Sequence, residues 1–185
     1  MANLFFDCKE NDSSIIKDQI NRESADIARI VERCKYDYPS IVLLNAELTD
    51  NKKDESFYKS ISNLIWLTCP YLNEKIHDLE SQGYISKIEE FIDNDNTLKM
   101  MMENAHASYY YFRKNVYRYF VSTVASLDDM NRIFNTGIGG IKNIENIKCL
   151  HLHYAHYRIC EENVVGKIVY NLLHKKIYCD EEICK

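Results

Sequence analysis

Residues 63–70 read NLIWLTCP, a compact apolar run that ends at a proline. An apolar run of this length favours a buried strand. Pro70 fits the first position of a helix, because its fixed φ suits that position and the missing N–H is not needed there. Apolar residues then recur at helical spacing, and Gly83 is placed to end the helix. This stretch predicts a strand that passes directly into a helix, with Cys69 at the junction.

Upstream of this stretch, the pattern predicts a helix, a hairpin and a loop. Isoleucines recur among charged residues over residues 11–30, which predicts an amphipathic helix. Two short β-branched runs, at 30–35 and 40–44, flank a turn candidate at 36–39 that contains a proline. The charged, aperiodic stretch 50–56 predicts an exposed loop.

Downstream of it, helical periodicity dominates. We expect helices over residues 85–92, 97 to about 126, 144–161 and 165–177, interrupted by the sequence TGIGG at 136–140. Together these elements predict an α+β fold, a mainly helical single domain with a small sheet of about three strands.

The domain organisation follows from the same pattern. We expect an N-terminal helical extension over residues 1–28, one α+β domain over residues 29–177, and a C-terminal tail over residues 178–185.

Composition narrows the function classes. The chain has 185 residues, 46% of them hydrophobic, which is enough to bury a core. The net charge of −5 disfavours non-specific binding to nucleic acid or to anionic lipid. No apolar run approaches the roughly 20 residues of a membrane span, and the N-terminus lacks a secretory apolar region. We therefore expect a cytoplasmic protein without membrane contact, whose oligomeric state the sequence does not indicate.

The chain has seven cysteines, which is a large number for a cytoplasmic protein. Because cytoplasmic thiols stay reduced, some of these cysteines are candidates for metal ligands or reactive groups rather than for disulfides. Cys34, Cys69 and Cys149 lie on three separate predicted elements. If the fold brings them together, they form a three-thiolate site for zinc or an iron–sulfur cluster. The alternative is that each is a small buried apolar residue, since no CxxC pair is present.

Histidines add to the candidate site. On one predicted helix Cys149, His153, His156 and Cys160 share a face, an arrangement that suits a metal or the polar side of a core helix. Cys69 lies at a helix N-terminus, where the dipole favours a thiolate, and His151 or His156 would then act as its base. The alternative for Cys69 is a simple capping role.

The long predicted helix carries two further candidates. His106, Tyr109 and Arg113 share a face and together suit an anionic ligand. Residues 108–120 mix aromatic and basic side chains without acids, a composition that suits single-stranded nucleic acid. The alternative is that the apolar side chains of this stretch pack in the hydrophobic core and the basic side chains are exposed to solvent.

Six blocks in order resemble a known family. They are RCKYDYP at 33–39, LTCP at 67–70, AHxxYxxxR at 105–113, GG at 139–140, KCLH at 148–151 with AH at 155–156, and NVVG at 163–166. Over roughly residues 29–170 the chain resembles the bacterial domain of unknown function 501 family, which has similar blocks. Asp37 stands where that family has glycine, and Val164 where it has proline after the asparagine, so both departures concern turns.

The resemblance does not indicate any reaction for this protein, but it favours some of the candidate site residues over others. It favours Cys34, Cys69, Cys149, His106, His151 and His156, all within the shared blocks, over the His153 and Cys160 stripe. It also adds Arg33 and Lys148 as cations beside the candidate site.

These observations give one leading hypothesis. We expect a metal site of zinc or an iron–sulfur cluster beside a cationic pocket for a small anionic ligand, in a protein that is an enzyme or a binding protein. The metal ligands are Cys34, Cys69, Cys149 and His156, the candidate catalytic groups Cys69, His106 and His151, and the ligand-binding groups Arg33, Tyr109, Arg113 and Lys148. Two alternatives are a non-catalytic module that binds nucleic acid or protein through residues 108–120, and a metal-free enzyme with a cysteine nucleophile.

Overall fold

Three antiparallel strands and six α-helices make up the described part of the chain. The structure is a computed structural model that describes residues 5–21, 27–45, 62–120 and 135–184, without the side chains of residues 117–120. The elements are α1 (Asp12–Ile20), β1 (Ile27–Arg33), β2 (Pro39–Leu44), β3 (Ile65–Leu67), α2 (Pro70–Ser81), α3 (Tyr84–Asp93), α4 (Asn96–Phe120), a 3₁₀ turn (Ile138–Gly140), α5 (Leu150–Tyr157) and α6 (Val164–Leu172). The predicted class, α+β and mainly helical with three strands, is confirmed.

The sheet has the order β1-β2-β3, with β2 at its centre. β2 pairs with β1 as the predicted hairpin and with β3 through Val42 opposite Trp66. All six residues of β2 are buried, as expected for a central strand covered on both faces. In the hairpin turn Asp37 adopts a left-handed φ of 69°. Aspartate tolerates this conformation better than most residues.

The predicted helix over residues 11–30 is wrong in its second half. α1 ends at Ile20, and Asn21 follows in the left-handed conformation. Ile27 and Ile30 lie in β1 instead, where Ile30 pairs with Val42 of β2 and also bridges to Phe6. Because isolated isoleucines fit both a helical and a strand period, the pattern alone did not separate the two.

The strand-to-helix junction forms as predicted. Cys69 is the residue before α2, Pro70 is its first residue, and Gly83 follows the helix with a left-handed φ of 75°. The long helix α4 is also confirmed as far as Phe120, while residues 121–134 and the predicted loop at 50–56 lie outside the described residues.

The predicted helix over residues 144–161 is shorter than expected, because two carboxylates bind the chain before it. Glu89 Oε1 accepts from the Ile147 N–H at 2.7 Å, and Glu80 Oε1 accepts from the Leu150 N–H at 2.7 Å. Cys149 is therefore extended and α5 begins only at Leu150. The helix expected over residues 165–177 likewise ends at Leu172.

Helix α5 lies at the centre of the molecule, packed against β3, α2 and α6. Six of its eight residues are buried, including the polar ones His153 and His156. Because most of this helix is buried, its buried polar atoms need partners inside the protein.

The C-terminal tail folds back onto the hairpin turn. Tyr38 Oη donates to Glu182 Oε1 at 2.7 Å, Tyr36 Oη bonds to the Asp180 carbonyl, and Cys179 is buried. Within the described residues, none of the helices is both long and apolar enough to cross a membrane.

A buried ion pair ties α1 to β1. Arg33 donates from two guanidinium nitrogens to the two carboxylate oxygens of Asp12, at 3.0 and 2.5 Å, and Asp12 is only 2% exposed. Burial by itself raises the pKa of Asp12, but hydrogen bonds from Arg33 and from the Lys9 N–H outweigh it, so the pKa is lowered. The predicted ligand-binding residue Arg33 is thus engaged in holding the fold.

Replacing Asp12 tests this role. Asp12→Asn should lower the free energy of unfolding by about 2 kcal/mol at pH 7, because the Arg33 charge stays behind without its partner. Since the folded-state pKa is depressed, the contribution is present above the unfolded pKa of about 3.9 and is lost as the pH falls through the folded value. Urea unfolding at pH 7 and pH 3 checks both statements. The exposed Asp18→Asn change on the same helix is the control, and an equal loss there would contradict the assignment.

Candidate metal centre

A surface cavity of about 350 Å³ lies where β3, the 3₁₀ turn and the start of α5 meet. β3 and Leu152 supply its apolar walls. Its polar groups are Asn63, Lys148, Cys149 and His151. A concave, largely apolar cavity with a few converging polar groups is the usual form of a small-ligand site.

Cys149, His151 and Glu80 form a compact cluster at this cavity. His151 Nδ1 lies 3.8 Å from Cys149 Sγ and 3.2 Å from Glu80 Oε1. Among the described residues this is the group of three metal-ligating side chains whose ligand atoms all lie within 4.8 Å of one another. A thiol, an imidazole and a carboxylate therefore converge, the carboxylate from α2 and the other two from the start of α5.

The second nitrogen of His151 fixes the orientation of the ring. His151 Nε2 lies 3.1 Å from the backbone carbonyl oxygen of Asn73, which can only accept, so Nε2 carries a proton and donates. The lone pair of the neutral ring is then on Nδ1, which faces Cys149 and Glu80. Metal-ligating histidines are typically held in this way, with the distal N–H bonded to a carbonyl or a carboxylate.

Charge is balanced within the cluster. Burial lowers the pKa of His151, but hydrogen bonds with Cys149 and Glu80 more than reverse this and raise it to about 10. Burial raises the pKa of Glu80, while the bonds from His151 and from the Leu150 N–H lower it. A proton on Nδ1 thus joins the three groups, and a bound divalent ion would take its place.

Lys148 supplies the cationic side of the cavity. Its Nζ donates to the Gly139 carbonyl at 2.9 Å, and within the described residues it has no carboxylate partner. Gly139 has a φ of +78°, and a Cβ added there would lie 3.2 Å from Lys148 Cδ. The glycine lets the 3₁₀ turn lie against the lysine stem and leaves the ammonium group beside the cavity.

The other predicted metal ligands lie elsewhere. Cys34 is half-buried in the hairpin turn, where its N–H donates to the Tyr38 carbonyl. Cys69 is 3% exposed, and burial raises the pKa of its thiol to about 11, the opposite of what a nucleophile needs. His156 is in the core, where Nδ1 contacts the amide of Asn163. The structure brings Cys149 together with His151, and not with these three.

The predicted trio on the long helix points into the core. Tyr109 Oη donates to the Ser62 carbonyl at 3.0 Å, Arg113 donates to Thr136, and His106 Nδ1 accepts from the Ile138 N–H at 3.0 Å. Arg113 is fully buried, so it is not available to a nucleic acid, although Tyr111 on the same helix is exposed. The alternative of a nucleic-acid module loses one of the cations it requires.

Glu80 and Asn73 were missed by the sequence reasoning. They lie seven residues apart on α2, and therefore two turns apart on one face. This spacing is visible in the sequence. Because both residues are distant in sequence from Cys149, however, the sequence did not indicate that they lie beside it.

A family model shows which family the chain belongs to. The family described as protein of unknown function (DUF501) matches residues 30–171, more than half of the chain. The chain belongs to this family. No curated protein and no solved structure matches this chain. In this DUF501 protein the KCLH block at 148–151 supplies the cation, the thiol and the imidazole at the cavity, and Gly139 of the GG block also lines it.

The TGIGG segment of the DUF501 protein makes one further close approach. A Cβ added at Gly137 would lie 2.5 Å from His106 Nδ1, so no larger residue fits without displacing the ring. Gly137→Ala should therefore lower the free energy of unfolding by about 1–3 kcal/mol.

A double-mutant cycle checks this contact. Once His106→Ala has removed the ring, adding Gly137→Ala should cost less than it does in the wild type, and urea unfolding measures the difference. Strictly additive effects would show that the two residues are not in contact.

Proposed function

We propose that the DUF501 protein holds a zinc ion on Glu80, Cys149 and His151 and uses it, with Lys148, to bind and activate a small anionic ligand. The fourth position of the ion would face the cavity and accept water or the ligand. Three protein ligands with one open position are characteristic of catalytic rather than structural zinc.

One observation carries the proposal, namely the agreement of the interatomic distances with tetrahedral zinc. From bond lengths of about 2.3 Å to sulfur and about 2.05 Å to nitrogen or oxygen, a tetrahedral site places S···N about 3.6 Å apart and N···O about 3.4 Å apart. The observed separations are 3.8 Å and 3.2 Å. Both separations agree with these values to about 0.2 Å, and the ligand atoms of Cys149 and Glu80 lie within 4.8 Å of each other.

The ligand set supports zinc over an iron–sulfur cluster. One thiolate, one imidazole and one carboxylate make a mixed set of the kind zinc accepts, whereas clusters depend on three or four cysteines. In the expected cytoplasmic environment Cys149 would stay reduced and available as a thiolate.

The residues around the ion have separate tasks. Asn73 holds the His151 ring through its carbonyl, and Glu80 both joins the ligand set and caps α5. Lys148 neutralises the anionic ligand in the cavity. The apolar β3 wall lowers the local dielectric and strengthens that attraction. Zinc itself would supply a water of pKa near 7, which suits hydrolysis of the bound anion.

Metal analysis of substituted proteins tests the ligand set. The wild type loaded with Zn²⁺ and passed through a desalting column should retain about one zinc per chain by elemental mass spectrometry. Cys149→Ser and His151→Asn should each lose most of it, because each removes one of three ligands. Cys160→Ser and Cys8→Ser are the matched controls and should keep the metal. Circular dichroism confirms that each variant is folded.

The same experiment includes the sites that the sequence predicted. Cys34→Ser and Cys69→Ser should retain zinc. Loss of zinc in those two variants, with retention in Cys149→Ser, would overturn the proposal.

A metal-free thiol enzyme centred on Cys149 is the second candidate, and one observation favours it. Cys149 is the residue before α5 and lies 3.8 Å from an imidazole whose proton the cluster stabilises, so its thiolate has both a helix N-terminus and a cation beside it.

Alkylation with iodoacetamide separates the two candidates. For the zinc site, Cys149 should react faster in EDTA-treated protein than in zinc-loaded protein, because the metal occupies the thiolate. Mass-spectrometric mapping of the seven cysteines measures the difference. Rapid modification of Cys149 that added Zn²⁺ does not slow would favour the thiol enzyme.

A further inference from the structure

Four side chains in the core carry polar atoms without hydrogen-bond partners. The four atoms are Nε2 of His106, His153 and His156, and Nε of Arg113; among the described residues, Tyr154 Oη and Gln19 Oε1 are also buried without a partner. His106 is 4% exposed and the other three side chains are fully buried. Buried polar atoms are nearly always hydrogen-bonded, so four orphans in one region point to a missing partner.

The four side chains belong to one cluster. The rings of His106 and His153 have centroids 5.8 Å apart, and His153 and His156 both bond to Asn163. The Arg113 guanidinium lies over the Tyr109 ring, and the Tyr109 and His156 rings have centroids 5.1 Å apart. None of these groups contributes to the cavity described above.

Asn163 fixes which atoms of two histidines carry protons. Its Oδ1 accepts from the Gly166 N–H at 2.9 Å, so the amide orientation is set by the backbone of α6. Oδ1 then accepts from His153 Nδ1, while Nδ2 donates to His156 Nδ1. Hence His153 Nε2 is an acceptor and His156 Nε2 is a donor.

His106 is fixed in the same way. Its Nδ1 accepts from the Ile138 N–H at 3.0 Å, so the proton of the neutral ring is on Nε2, a second donor. Burial lowers the pKa of His106 to about 4 and that of His156 to about 3, so both rings are neutral at pH 7. The cluster therefore presents two imidazole donors and one imidazole acceptor.

Arg113 adds a positive charge without a counter-ion. Its hydrogen bonds go to the hydroxyl and the carbonyl of Thr136, both neutral, and in the described part of the chain no carboxylate pairs with it. A buried guanidinium stays charged, and a buried charge without a partner is strongly unfavourable. An anion beside the free Nε–H would remove that cost.

The donor pattern excludes a metal ion shared by the three histidines. Nε2 of His106 and of His156 carry protons and cannot ligate. The three rings also do not form a group with all ligand atoms within 4.8 Å, whereas zinc needs nitrogens about 3.4 Å apart. Wider spacing suits an ion of several atoms.

We propose that Arg113, His106 and His156 donate to a buried oxyanion of the phosphate class, and that His153 accepts from its hydroxyl group. This site goes beyond the proposed function, because it lies in the core and needs no zinc. Hydrogen phosphate fits the pattern of three donors, one acceptor and one positive charge, whereas sulfate lacks the hydroxyl at neutral pH.

Titration with inorganic phosphate and with sulfate tests the site. Thermal unfolding of zinc-loaded and EDTA-treated protein at pH 7 should show stabilisation by phosphate in both forms, with an affinity about tenfold higher than for sulfate, the worth of one buried hydrogen bond. Nitrogen-15 spectra of the wild type should show phosphate shifting the Nε2 resonances of His106, His153 and His156.

Matched variants locate the anion. Arg113→Gln should weaken phosphate binding by at least about tenfold, because the charge-assisted bond is lost. Lys114→Gln removes a charge from the adjacent position of α4 and should leave the affinity unchanged. Phosphate binding lost in Lys148→Gln but kept in Arg113→Gln would place the anion in the surface cavity and overturn this proposal. Histidine resonances that phosphate does not shift would overturn it as well.

Discussion

The carboxylate of Glu80 holds together the region on which the proposed chemistry depends. It accepts from the Leu150 N–H at 2.7 Å and from His151 Nδ1 at 3.2 Å, so one group on α2 sets both where α5 begins and where its first imidazole points. The capping bond leaves Cys149 extended just before the helix. Because the same interaction fixes the backbone and collects the side chains, cluster geometry and fold stability are coupled at this residue.

The TGIGG segment connects the two candidate sites. On its core side, Ile138 donates to His106 and Thr136 accepts from Arg113. On its other side, Gly139 accepts from Lys148 at the edge of the surface cavity. Glycines are required here because two side chains, an imidazole and a lysine stem, lie against the backbone where a Cβ would be. The segment therefore contacts one buried cation, Arg113, and one exposed cation, Lys148.

The sequence predicted correctly those elements that are determined by residues close together in the chain. The β3–α2 junction follows from an apolar run before Pro70, and the hairpin follows from two β-branched runs around a turn. The start of α5 was not predictable, because Glu80 and Glu89 decide it from distant positions. The candidate site was predicted only in part for the same reason. The KCLH block indicated Cys149 and His151 as candidate residues. Only the tertiary structure adds Glu80 to them and places Cys34 and Cys69 elsewhere.

X-ray absorption spectroscopy at the zinc edge tests the central claim most directly, because it counts the sulfur atoms bound to the metal. The zinc-loaded protein should show one sulfur at about 2.3 Å and three nitrogen or oxygen ligands at about 2.0–2.2 Å. The oxygen and nitrogen shell would comprise Glu80, His151 and the open position. A spectrum with three or four sulfurs would contradict the account and return the metal to a site built from the other cysteines.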